Sequence, residues 1–354
     1  MDLIESYREE LQLVRKTWTR IWISAIVAGV LLLPLYAPQY MVYIATLVCI
    51  YSIGVQGQNL LIGYTGQISF GQAGFLAIGA YTFGHLVRLG APWPGALLGA
   101  GVAAGLFGVI VGFPSLRLKG PYLAIATMGF GIAVYQIFVN SEPLSGGRMG
   151  LSVPKLEVWF GLAPWFENHS WFGGIARWLS GLFGGGRGAM SAVTFTFYVN
   201  FAICMVFTLV SYNIVSSYMG RAFIAIRDND IAAEVIGVNL TRYKLLSFAV
   251  SSFYTGVQGG LYALFMGFLE PNMFTFMESI TLFVAVIIGG LASVEGAIMG
   301  AAFVIVVPQL LTSFKEMVPV VFGVAIILVL IFEPLGLSGR WMKTRLYLRN
   351  WPFR

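Results

Sequence analysis

The chain has 354 residues, of which 58% are hydrophobic and only 10% charged, with a mean hydropathy of +0.82 and a formal net charge of +6. So few charges cannot cover a water-soluble domain, where about 25% of residues are charged, and so much apolar side chain excludes disorder. What remains is an all-α, polytopic integral membrane protein, and its 43 glycines, about 12% against a typical 7%, suit helices that pack closely in lipid.

In chain order, residues 3–20 read as an amphipathic cytoplasmic helix: Leu3, Tyr7, Leu11, Val14 and Trp18 share one face, away from Glu5, Arg8 and Glu9. It suits the membrane interface, or contact with a partner subunit. A span needs about 20 mostly apolar residues. Ten candidate segments follow, near 21–36, 40–62, 66–88, 95–114, 122–139, 192–215, 245–269, 279–293, 296–313 and 317–333. They divide into a first set, 21–139, and a second set, 192–333. Between the sets lies an external loop, 140–191, rich in Gly and Trp; it lies along the headgroups, re-enters, or docks an external partner. A basic cytoplasmic tail, 334–354, closes the chain. No cleavable signal is evident, and the first apolar run reads as a retained span.

Ten spans place both termini on one side, and the basic residues agree. Fifteen of the 21 Lys and Arg fall on that side, from Arg8 through Arg117, Lys119, Arg221, Arg227, Arg242 and Lys244 to Arg354. By the positive-inside rule both termini are cytoplasmic. The surplus charge is thereby a topology signal and an attraction to anionic lipid; no basic and aromatic pattern calls for nucleic acid. Cys49 and Cys204 lie in apolar runs and read as small core residues, with no metal-ligand cluster nearby.

Three stretches are unusual. The first, Asn59 to Tyr81, sets Gly63, Gly66 and Gly71 among Asn59, Gln67, Ser69 and Gln72. It is too polar for a lipid-facing helix, since backbone at membrane depth needs partners inside protein or beside water. A discontinuous element is expected, lining an inner pathway or packed tightly between helices. The second, Ile288 to Phe303, echoes it with Gly289, Gly290, Ser293, Gly296 and Gly300, as inverted-repeat transporters do. Glu295 is placed either at the cytoplasmic end of its span or facing a cavity. The third, Gly220 to Lys244, is too polar to span. Asp228 or Asp230 is expected to cap a short helix through Ile231, Ala232, Ala233 and Glu234, ending at Gly237. It is either a solvated loop helix or a coupling helix moved by a cytosolic partner.

These stretches resemble the LivM-type permease subunits of branched-chain amino acid ABC importers. The matching segments are Gly63–Tyr81, Arg117–Gly131, Gly220–Ala263, Ile287–Phe303 and Phe332–Trp341, in the family order over about residues 40–341. The resemblance implies the ABC importer permease fold with a bacterial-type inner membrane location. It implies a second, different permease subunit (LivH-like), two cytosolic ATPases (LivG/LivF-like) and an external solute-binding protein. It assigns ATPase coupling to the neighbourhood of Arg227, Asp228, Asp230, Ala232, Ala233, Glu234 and Gly237. The loop resembles an EAA-type motif whose first Glu is replaced by Ile231. The long external loop and Glu295 also depart from the family pattern.

Function classes follow. A permease subunit of an ATP-driven importer needs no cofactor of its own: no Gly-Lys pair occurs, so there is no P-loop, and ATP and Mg would be held by partner chains. Pathway residues would come from Asn59, Gly63, Gly66, Gln67, Ser69, Gly71, Gln72, Ser293 and Gly296. The rival is an ion-coupled secondary transporter working alone. Such carriers place ionisable groups at the membrane midplane, whereas Glu270, Glu278, Glu316 and Glu333 are expected at span ends. Nothing resembles a set of convergent catalytic groups. Branched-chain amino acids are the substrate that the resemblance favours, with urea, amides and aromatic acids as alternatives.

Overall fold

A computed structural model describes residues 29–34, 36–116, 118, 120–154, 192–310, 317–332 and 336–340. The amphipathic segment 3–20, most of the first span, the loop beyond residue 154 and the tail beyond residue 340 lie outside the described residues. So do Arg117, Lys119, Glu316 and Glu333.

The described chain is nearly all helix. α1 spans Gln39–Asn59 and runs into a π-helical turn, Leu60–Tyr64. A non-helical stretch over 65–71 precedes α2, Gln72–Arg88; α3 is Trp93–Ser115 and α4 is Pro121–Asn140. A single helical turn, α5 (Glu142–Ser145), leads to strand β1, Leu151–Ser152. The second set begins with α6, Ala192–Ser216, then α7, Tyr218–Asp228, and α8, Asp230–Val235. α9 is Leu240–Met266, followed by strand β2 (Phe268–Leu269), α10 (Phe276–Gly289), α11 (Val294–Leu310) and α12 (Val318–Phe332). Among the described residues four stretches are long and apolar enough to cross a membrane, Gln39–Tyr64, Trp93–Pro114, Pro121–Asn140 and Val193–Ser216; Phe276–Gly289 and Val294–Leu310 are shorter apolar helices.

α1 and α9 form the centre. α9 packs on α1, α2 and α3, while α1 also touches α6, α10 and α11. The close approach is made by glycines: a Cβ on Gly79 would overlap the Gly256 carbonyl oxygen, and one on Gly256 would overlap Ala104. Lipid offers no hydrophobic drive between helices, so close backbone contact and polar bonds hold the bundle. The outer helices show the complementary pattern. Leu98, Val102, Leu106, Ile110 and Phe113 of α3, and Val320, Val324 and Ile327 of α12, are exposed, as suits faces turned to an apolar solvent.

The start of the expected external loop is ordered. Leu151 and Ser152 pair antiparallel with Leu269 and Phe268, tying residues after α4 to those after α9. The second glycine-rich stretch differs from expectation. It is a tight reversal between α10 and α11, not a break within one span. Gly289, Gly296 and Gly300 let the two helices touch backbone to backbone, and Gly290 and Ala292 take positive φ in the turn.

Candidate functional site

The first polar stretch is discontinuous, and several of its polar groups are bonded to other elements. The start of α2 is fastened by three hydroxyls: Ser69 Oγ accepts from Gly71 N (3.3 Å), Thr127 Oγ1 from Phe70 N (3.0 Å) and Ser279 Oγ from Ala73 N (2.9 Å). Gln72 donates to Ser251 Oγ (3.0 Å) and accepts from Thr255 Oγ1 (2.8 Å), and Gln67 donates to Ser247 Oγ (2.8 Å). Gln67 and Gln72, singled out for their polarity, thus stitch the break to α9, while the amides of Phe70 and Ala73 tie it to α4 and α10. Gln72→Leu takes the donor from the buried Ser251 hydroxyl and leaves Thr255 Oγ1 only the Ser251 carbonyl; it should cost about 1–3 kcal/mol, read as a lower thermal unfolding midpoint in detergent.

Asn59 reaches across to the turn before α11. Its Nδ2 donates to the Ser293 carbonyl (2.8 Å) and its Oδ1 accepts from Ala292 N (3.0 Å). A Cβ on Gly63 would overlap both Asn59 Oδ1 and Ala292 N. The two glycine-rich stretches therefore meet, and Gly296, one turn into α11, closes against Gly289.

The third stretch, Gly220 to Lys244, folds as two short helices and the start of α9. The cap of α8 is Asn229, rather than Asp228 or Asp230: its Oδ1 accepts from Ile231 N (3.0 Å) and Ala232 N (3.1 Å), from an extended backbone. Asp230 instead starts the helix and receives Lys244 Nζ at 2.8 Å. Gly237 ends the turn with φ +91. Ala233 is buried, while Ile231, Val235 and Ile236 are 71%, 82% and 75% exposed. Ala232, Glu234 and Gly237 are exposed beside them. α8 so presents three large aliphatic side chains outward and one alanine inward.

Arg227 sits at the end of α7. Its Nε and Nη2 both lie 3.2 Å from Asp228 Oδ1, while Nη1 donates to the Gly63 carbonyl at 3.0 Å. Its stem lies against Gly66, whose φ of +72 turns the chain out of the π-helical turn. A cavity of about 200 Å³ joins both sets of residues. It is lined by Thr65, Gly66, Gln67 and Ile68 of the break, by Leu118, Gly120 and Leu123, and by Asp230 and Lys244. That the break and α8 share one cavity was not legible in the sequence, for they stand about 165 positions apart.

Two acidic residues complete the picture. Glu295 Oε1 accepts from Tyr212 Oη (3.2 Å), near the C-terminal end of α6 that leads into α7. It thus lies at the same end of the bundle as α8. Glu278 is in the first turn of α10, at the end of its helix as expected. It lies one residue before Ser279, level with Gln72, Ser251 and Thr255 at the middle of α9. Its carboxyl is drawn in beside Tyr51, with Oε1 buried and unpartnered among the described residues. The reason is the segment 267–275, which carries the chain from the end of α9 back to this level before α10 begins. Among the described residues no group of three or more His, Cys, Asp or Glu could hold a metal ion.

The comparisons with known proteins identify the family. Residues 40–332 match the family model described as branched-chain amino acid transport system / permease component. The permease protein LivM of the high-affinity branched-chain amino acid transport system of Salmonella typhimurium is 34% identical over 322 residues, 90% of this chain and 74% of that protein. Its Escherichia coli K12 counterpart is 34% identical over 335 residues, 94% of this chain and 77% of that one. The high-affinity branched-chain amino acid transport system permease protein LivH of E. coli K12 is 27% identical over 320 residues, 86% of this chain and 96% of that one. No solved structure matches. With the family model covering most of the chain, this protein belongs to the branched-chain amino acid transport system permease family.

Proposed function

We propose that this chain is one of two different permease subunits of an ATP-driven importer of branched-chain amino acids. Two cytosolic ATPases would grip α8 from below, and an external solute-binding protein would deliver the substrate. ATP and Mg would be bound by the ATPases, with no cofactor on this chain. Relatives of two kinds, LivM and LivH, support a paired assembly of related chains. The reading places about ten spans in a bacterial-type inner membrane with both termini cytoplasmic, in line with the distribution of basic residues.

One observation carries the mechanism: α8 turns Ile231, Val235 and Ile236 outward on an otherwise polar segment, while the same segment is bonded to the broken element within the bundle. An apolar patch on a cytoplasmic helix suits a protein partner, and the inward bonds let movement of that helix reach the spans. The break borders the translocation pathway in this reading, with Gly66 and Gln67 opening on the shared cavity. The cycle is alternating access, driven by closure of the ATPases on their nucleotide.

The buried Glu278 favours the rival, an ion-coupled carrier, since an ionisable group at such depth commonly marks a proton or ion pathway. Reconstitution separates the two. Proteoliposomes holding both permeases and both ATPases, with the binding protein outside and ATP inside, should accumulate labelled leucine, and this chain alone should not. Uptake by this chain alone under a proton or sodium gradient would overturn the proposal. A binding protein that prefers urea or an aromatic acid would change the substrate and leave the permease assignment standing.

A further inference from the structure

We infer that Arg227 is a positioning residue that ties the cytoplasmic helix to both glycine-rich stretches through the Gly63 carbonyl and Asn59. The inference rests on the docking role proposed for α8 and deepens it.

The geometry separates two functions on one guanidinium. One edge, Nε and Nη2, is taken up by Asp228 Oδ1, with both distances 3.2 Å. That contact alone would be an ordinary surface ion pair, since Asp228 is 63% exposed. It fixes the plane of the fork, and Nη1 is thereby aimed at the Gly63 carbonyl, 3.0 Å away. Gly63 lies inside the π-helical turn, where the usual helical ladder is interrupted and a carbonyl can take an outside donor. Gly66 brings the backbone close: a Cβ there would stand 3.1 Å from Arg227 Cγ.

The link continues without a gap. Gly63 touches Asn59 and Ala292, and Asn59 holds the turn before α11 by two bonds of 2.8 and 3.0 Å. Ala292 has φ +56, the one positive φ outside glycine among the described residues. Such a backbone persists only where its surroundings hold it, and here Asn59 supplies an acceptor to its amide. Displacement of the α7–α8 segment therefore pulls on the break directly and on the α10–α11 turn through Asn59. Lysine at 227 keeps the charge and the stem, yet its single ammonium cannot hold Asp228 and the carbonyl in one rigid plane.

The test uses the whole complex in proteoliposomes, with labelled leucine uptake and ATP hydrolysis measured together. Arg227→Lys, Arg227→Gln and Asn59→Asp are each expected to lower leucine moved per ATP hydrolysed by about tenfold, the order expected for loss of a charge-assisted bond. An unchanged ratio in the Arg227 variants overturns the inference. So does a parallel fall of uptake and hydrolysis, which would make Arg227 a folding or docking residue. Val235→Asp, on the outward face, reports on the reading beneath it. If that variant transports normally, α8 is not the docking helix; if it alone loses transport, docking stands and the Arg227 link falls.

Discussion

Gly259→Leu is expected to prevent recovery of folded protein from membranes. Gly259 lies in α9 where the backbone of α2 comes closest, so that a Cβ would overlap the Leu76 carbonyl oxygen and stand 2.9 Å from Ala80 N. Backbone cannot rotate away as a side chain can. The two helices must part, and the approach at Gly79 and Gly256 opens with them. Gln72, bonded to Ser251 and Thr255 across the same interface, would lose both partners. Overpacking of a core costs about 1–3 kcal/mol and occasionally more; added to the loss of two buried bonds, about 1 kcal/mol each, this consumes much of an ordinary stability of about 5–15 kcal/mol. Size-exclusion chromatography of the detergent-extracted protein checks it. Gly129→Leu is the control: a Cβ there meets nothing within 4 Å, and the variant should elute as the parent does. Equal profiles for both variants would mean that the α2–α9 approach is not what holds the bundle.

The limits of sequence reading show at particular residues. The break at 60–71 was legible because polar side chains and glycines stand where hydropathy demands apolar ones, and burial at depth leaves few ways to satisfy them. The order and edges of the helices followed from the same contrast. The α8 cap was legible only as a choice among neighbours. Asp228, Asn229 and Asp230 can all cap, and the extended backbone at Asn229 decides. Glu278 was legible as an acid at a helix end, but not in its level against α9. Hydropathy records that an acid ends an apolar run, but not that 267–275 carries the chain inward before α10 begins. The glycines near 289–300 gave a true signal of close approach and a false one of discontinuity, since small residues serve a helix reversal as well as a break. Whether Arg227 points toward a partner or toward Gly63 depends on the rotation of α7 against the bundle, which no local pattern records.

Val235→Asp, combined with Ile231→Asp, is expected to abolish ATP-driven uptake while leaving the membrane domain folded. Both side chains are largely exposed, 82% and 71%, so the bundle loses little packing when they change. Asn229 still caps α8, and Lys244 still holds Asp230. What changes is the surface offered to the ATPase. Docking would bury two carboxylates without partners, at several kcal/mol, which weakens association by about 10²–10³-fold. Co-purification of the ATPases should fall accordingly, with uptake falling beside it and the chromatographic profile of the permease unchanged. Asn229→Ala grades the same argument from the other side. Loss of the cap costs about 1 kcal/mol and loosens α8 without charging its outer face, so uptake should fall only severalfold. Normal uptake in the double variant would return α8 to the status of a solvated loop. A fall in uptake with full ATPase retention would move the role of these residues from docking to transmission, beside Arg227.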